Sequence, residues 1–144
     1  MKDIDMAVEL LESKELSLAV VRDGNVIFAS GGRGINPLYE ALEEHKDELE
    51  GSSVADRVTG RAAAMICAHA GIKELKTKLI SDNAINVLKE TNILYEYDER
   101  TPFIKNRDKT GMCPIEMLSL KCGNFKELSE KISDFLQGVK EAGI

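Results

Sequence analysis

Apolar positions at the start of the chain recur at a helical interval and then close up into compact runs. Ile4, Val8 and Leu11 are spaced as one face of a helix over residues 3–13, and the apolar run 16–21 that follows ends at Arg22-Asp23-Gly24-Asn25. Asp-Gly readily takes the two positive φ angles of a tight hairpin, so Val26-Ile27-Phe28 is expected to return as a second strand. Ser30-Gly31-Gly32-Arg33-Gly34 is a loop that either merely connects or brings backbone close to another segment or a ligand.

Asn36-Pro37 opens a further helix, with Leu38, Leu42 and His45 near one face and Glu43 and Glu44 outward. Residues 53–70 are small and apolar almost all round after their first turns, which predicts a central helix packed on several sides and stopped by Gly71. Leu75, Thr77 and Leu79 alternate as in a strand, and Ser81-Asp82-Asn83 caps a helix that turns Ile85, Val87 and Leu88 inward. Residues 93–97 form the next strand, followed by a polar stretch to Gly111. Cys113-Pro114 begins another helix, and Asn124 caps an amphipathic one carrying Phe125, Leu128, Ile132, Phe135, Leu136 and Val139. This order predicts an α/β fold with a sheet of four or more strands sandwiched by helices and two parallel, right-handed crossovers.

Composition narrows the reading. With 144 residues, 43% hydrophobic and 31% charged, the chain has room for one core, and the whole of 1–144 is expected to be a single domain. Nineteen basic against 25 acidic residues give a formal charge of -6, which argues against nucleic acid or an anionic membrane as partner. No apolar run approaches the ~20 residues of a membrane span, and the acidic N-terminus does not resemble a secretory signal, so a cytoplasmic protein is expected. Its three cysteines, Cys67, Cys113 and Cys122, follow no framework spacing and are expected to be reduced.

Ligands in α/β sheets gather where strand ends meet helix starts, because unpaired amides and the helix dipole point there. Three starts qualify. Ser53-Val54-Ala55-Asp56 fits a capping box, so Asp56 either caps its helix or serves a ligand. Arg57 and Arg61, one turn apart on that predicted helix, either hold phosphate or carboxylate in two-pronged fashion or lie on a solvated face. Ser81 and Asp82 form the second start. The third follows the loop Asn106-Arg107-Asp108-Lys109-Thr110-Gly111, where Cys113 at a helix start is open to a lowered pKa and reactivity. Metal chemistry fits poorly. Cys113 and Cys122 fall on nearly opposite sides of any continuous helix, and eleven residues of helix would hold Cys67 ~16 Å from Asp56. There is no Cys-x-x-Cys.

Ser53-Val54-Ala55-Asp56-Arg57-Val58-Thr59-Gly60-Arg61-Ala62-Ala63-Ala64, Asn106-Arg107-Asp108 and Thr110-Gly111-Met112-Cys113-Pro114-Ile115-Glu116 together resemble a bacterial and archaeal family of unknown function with a cytidine-deaminase-like fold. The resemblance spans roughly residues 15–120. It implies a three-layer sandwich, a mixed central sheet with helices on both faces, flanked by N- and C-terminal helical extensions. Working zinc deaminases open one helix with a His or Cys ligand and a proton-shuttling Glu, and the next with Pro-Cys-x-x-Cys. Here the corresponding starts read Val54-Ala55-Asp56-Arg57 and Ser81-Asp82-Asn83-Ala84. The resemblance therefore implies a former active-site cleft without its zinc ligands, lined by Asp56, Arg57, Arg61, Ser81, Asp82 and the 106–116 loop with Thr110, Gly111 and Glu116. No cofactor is expected. Three classes of function follow: a binding module for a nucleotide or nucleotide-like anion, an enzyme using Asp56 or Cys113 on a related ligand, and an oligomeric scaffold.

Overall fold

The computed structural model describes residues 1–141; the last residues of the expected domain span, 142–144, lie outside the described residues. Five strands form one sheet in the order β2-β1-β3-β4-β5, with ranges β1 Leu18–Arg22, β2 Asn25–Ser30, β3 Ser53–Thr59, β4 Glu74–Ser81 and β5 Leu94–Thr101. β1 is antiparallel to both β2 and β3, whereas β3, β4 and β5 run parallel. The hairpin is the expected one, with Asp23 at φ 51° and Gly24 at φ 78°, the pair of left-handed residues that matches the twist of the flanking strands. Asp3 reinforces it by accepting hydrogen bonds from the amides of Asp23 at 2.8 Å and Gly24 at 2.9 Å.

One helix, α1 (Asp3–Ser13), covers one face of the sheet, where Ala7 and Leu11 pack on Ala19, Val21 and Ala55. The opposite face carries α2 (Asn36–Leu49), α3 (Arg61–Ala70), α4 (Asp82–Leu88), α5 (Pro114–Leu120) and α6 (Phe125–Glu141). The main core lies there, with Val20, Val54, Leu75 and Ile80 of the strands against Leu38, Ala64, Ile66, Ile85, Leu128 and Ile132. This is the expected three-layer sandwich with a mixed sheet and helices on both faces. Ser81 accepts a hydrogen bond from the Ala84 amide and Asn124 from the Glu127 amide, so both expected N-caps form. His45, expected on the apolar face of its helix, instead leaves helical geometry and pairs with Glu48.

The largest correction concerns residues 53–70. They are not one helix: Ser53–Thr59 is the central strand, Gly60 turns the chain, and the helix begins at Arg61. Alternation decides the matter, because Val54 and Asp56 face the main core side while Ala55 and Arg57 face α1. Both ladder edges of the segment are used, by β1 and β4. Ser53-x-x-Asp56 is therefore no capping box, and Asp56 caps nothing in a helix. The helical stop at Gly71 holds, with φ 72° in the left-handed region. The two parallel crossovers are β3-α3-β4 and β4-α4-β5, so the first starts from a strand that the sequence pattern assigns to helix.

Candidate functional site

A cleft of about 280 Å³ opens at the carboxyl end of β3, beside the start of α3. Four stretches of chain wall it: Ser17 and Leu18 at the start of β1, the Gly32–Leu38 turn into α2, Asp56 to Ala63, and the strap after β5 with the first turn of α5, through Ile104, Cys113, Ile115 and Glu116. Leu18, Ile35, Leu38, Val58, Ile104 and Ile115 make its surface chiefly apolar. Polar groups are few, and each can be placed.

Asp56 projects from β3 into this apolar setting, and desolvation pushes its carboxyl up to about 7. The Thr59 hydroxyl, donating to Oδ2 at 3.0 Å, and the neighbouring amides of Arg57 and Val58 pull it back down by less. No basic side chain among the described residues pairs with it. Arg57 follows it in sequence but points through the sheet, where its guanidinium donates to the carbonyls of Leu16 at 2.5 Å and Leu11 at 3.0 Å. Period-two alternation has separated two residues that a helix would have kept on neighbouring positions.

Arg61 also faces away from the cleft. Its guanidinium donates to the carbonyls of Ser119 and Cys122 at the end of α5, and its amide donates to Glu116 Oε1 at 2.7 Å. Glu116, 2% exposed, further accepts from the Ile104 amide at 2.6 Å and the Ser81 hydroxyl at 3.2 Å. The remaining expected site residues divide accordingly. Asp56, Arg57, Cys113 and Glu116 border the cleft; Ser81 sits behind Glu116; Asp82 pairs with Arg100 at the surface. Asn106 accepts from the Thr110 amide and donates to its hydroxyl, folding 106–111 on itself, and neither these two residues nor Arg107, Asp108 and Gly111 line the cleft.

The Ser30–Gly34 run, open in the sequence between a plain connection and a close approach to a ligand, does line the cleft through Gly32, Arg33 and Gly34, although Arg33 itself is not among the expected site residues. Arg33 in that run is exposed and makes no hydrogen bond or ion pair among the described residues, which leaves it the uncommitted cation on the cleft. At the start of α3 the first intrahelical bond runs from the Ala64 amide to Gly60, so the amides of Ala62 and Ala63, both on the cleft, have no acceptor within the helix.

The residues at the two helix starts do not fit a zinc ion. Gly60-Arg61-Ala62-Ala63 and Ser81-Asp82-Asn83 supply neither thiol nor imidazole, and Asp82, their one carboxylate, pairs with Arg100 at the surface. Among the described residues no three His, Cys, Asp or Glu side chains are grouped to hold a metal. Cys67, placed far from Asp56 by the helical reading, lies close enough on α3 to feel that carboxylate, and burial with this charge raises its thiol pKa strongly. It is a core residue, not a nucleophile.

A family model described as TM1506, domain of unknown function (DUF1893), matches residues 6–136. No curated protein matches the chain. Among solved structures, the DUF1893 family protein TM1506 of Thermotoga maritima is similar at 32% identity and TM-score 0.84, over 93% of this chain and 90% of that one. The dCMP deaminase of the cyanophage S-TIM5 shows 16% identity and TM-score 0.47 over 69% of this chain and 94% of its own. RibD of Acinetobacter baumannii shows 16% identity and TM-score 0.49, over 67% of this chain and 34% of that one.

Proposed function

The chain belongs to the DUF1893 family, and from that premise we propose that its cleft is a binding site for a nucleotide or nucleotide-like small molecule, working without zinc. The observation that carries this reading is the presence of both a desolvated Asp56 carboxyl and an uncommitted Arg33 on the walls of one apolar cleft. Apolar walls suit the faces of a flat heterocycle, and a carboxyl close to neutrality offers a donor or an acceptor to its edge. Arg33 and the open amides of Ala62 and Ala63 suit a phosphate. Arg57 and Arg61 are assigned no part in binding, because protein carbonyls already occupy them.

A thermal-shift panel of nucleosides and their mono- and diphosphates tests the reading. A ligand of the native state at a hundred times its Kd adds about 2.7 kcal/mol of stability, a shift that such scans resolve. One or more members are expected to raise the midpoint and to perturb amide signals of Leu18, Val58 and Ala62. A panel that moves neither midpoint nor those signals would reject the proposal. A second reading, an enzyme on a related ligand, is favoured by the same carboxyl: about 7 is the range in which a general base works best at neutral pH, and Cys113 stands on the same cleft. Turnover of a panel hit, lost in Asp56→Asn while binding persists, separates enzyme from binding module.

A further inference from the structure

Glu116 occupies the third position of α5, where an acidic side chain ordinarily turns back to the amides of its own helix. It does not. Its carboxylate reaches across to three donors from three other parts of the chain: the Arg61 amide at the start of α3, the Ser81 hydroxyl at the start of α4, and the Ile104 amide after β5. Fifty-five, 35 and 12 residues of sequence separate Glu116 from these partners. All three donors are uncharged, and no ion pair to Glu116 forms among the described residues.

Two further features point to the same junction. Gly60 packs so closely on it that a Cβ there would stand 3.1 Å from Glu116 Oε1 and 3.2 Å from Ile104 Cγ1. Its φ of -94° is ordinary, so a side chain there would press on these two neighbours without straining the backbone. Arg61, whose amide holds Glu116, also holds the far end of α5 through its guanidinium on the Ser119 and Cys122 carbonyls. One residue thus grips α5 at both ends.

We propose that the Arg61 amide, the Ser81 hydroxyl and the Ile104 amide constitute an anion site whose resident occupant is the chain's own Glu116, and that this occupancy is the latch holding residues 102–120 closed against the cleft. Glu116 acts as a positioning residue. It fixes Ile104, Cys113 and Ile115 as one wall of the cleft, whatever ligand the cleft takes. Removing Glu116 beyond its Cβ deletes a group with the shape of acetate from a position on the cleft wall, so the emptied site is expected to accept a small carboxylate.

Hydrogen exchange on the full-length chain tests the latch. In Glu116→Ala, amides of 102–120 are expected to exchange about tenfold faster or more, while those of β1 keep their protection. Sodium acetate is expected to restore the slow exchange and raise the melting midpoint, whereas sodium chloride at equal ionic strength does neither, and the wild type responds equally to both salts. Gly60→Ala keeps the carboxylate but crowds it, so the same segment is expected to loosen without rescue by acetate. This second variant decides the matter should Glu116→Ala fail to fold. Acetate acting no differently from chloride on Glu116→Ala, or wild-type exchange across 102–120 in Gly60→Ala, would overturn the proposal.

Discussion

Asp56 and Arg57 are neighbours in sequence with opposite charges, yet they form no ion pair, because a strand sends them to opposite faces of the sheet. The arginine is satisfied by two carbonyls at the end of α1 and the start of β1, and the carboxyl is left in the cleft without a cation. A stability consequence follows with a definite sign. The unfolded chain releases the Asp56 proton near 3.8 and the folded chain only near 7, so between those values the native state binds more protons than the unfolded one. The proton-linked stabilisation is therefore full below pH 4 and lost as pH rises to 7 and beyond. About three units at ~1.4 kcal/mol each make this on the order of 4 kcal/mol. Asn at this position does not titrate. Urea unfolding of wild type and Asp56→Asn from pH 4 to pH 8 is expected to show the wild type losing that amount relative to the variant, every other titrating group cancelling. Parallel stability curves would refute the assignment of a desolvated carboxyl.

Elements defined by local chemistry were legible in the sequence, and the element defined by pairing was not. Asp23-Gly24 forces the hairpin, Ser81 and Asn124 bind amides a few residues ahead, and Gly71 accepts the left-handed stop; none of these needs a distant partner. Residues 53–59 differ. Their small side chains and the Ser-x-x-Asp spacing satisfy a helix pattern, and only the ladders offered by β1 and β4 make the segment a strand. Val54, Val58 and Thr59, β-branched, and Gly60, which interrupts the run, were the local signs of it. That single misreading placed Arg57 and Arg61 on one helix face and made both look like ligand groups. The corrected elements predict their roles. Arg57→Met is expected to destabilise by roughly 1.5–3 kcal/mol, the range for hydrogen bonds from a charged donor, and to loosen α1 in particular. Ala63→Asp, at a position 6% exposed on α3, is expected to cost several kcal/mol, whereas the exposed Glu43→Gln stays within ~0.5 kcal/mol. Chemical denaturation of the three variants checks the ranking, and equal midpoints for Ala63→Asp and Glu43→Gln would contradict the packing of α3.

At the scale of the whole molecule, the cleft is assembled from four segments, 17–18, 32–38, 56–63 and 104–116, which meet only because the order β2-β1-β3-β4-β5 brings the start of β1 beside the end of β3. No sequence window contains two of its opposing walls, and for this reason Arg33 escaped notice while Asp56, Cys113 and Glu116 were visible through their motifs. The division of polar groups between walls makes a two-part prediction for any ligand found in a nucleotide panel. Asp56 is expected to meet the heterocycle, so Asp56→Asn should weaken a nucleoside and its phosphate ester by similar factors. Arg33 is expected to meet the phosphate, so Arg33→Met, which keeps much of the stem's apolar contact while removing the charge, should weaken the phosphate ester by about tenfold, or ~1.4 kcal/mol, and leave the nucleoside unchanged. Salt adds an independent check, since screening should weaken binding of the ester in the wild type and lose most of that effect in Arg33→Met. Calorimetry with the matched pair on both variants measures all of these quantities. Equal losses for ester and nucleoside in Arg33→Met, or salt dependence that survives the substitution, would remove the phosphate from the Arg33 wall and leave the cleft a site for the heterocycle alone.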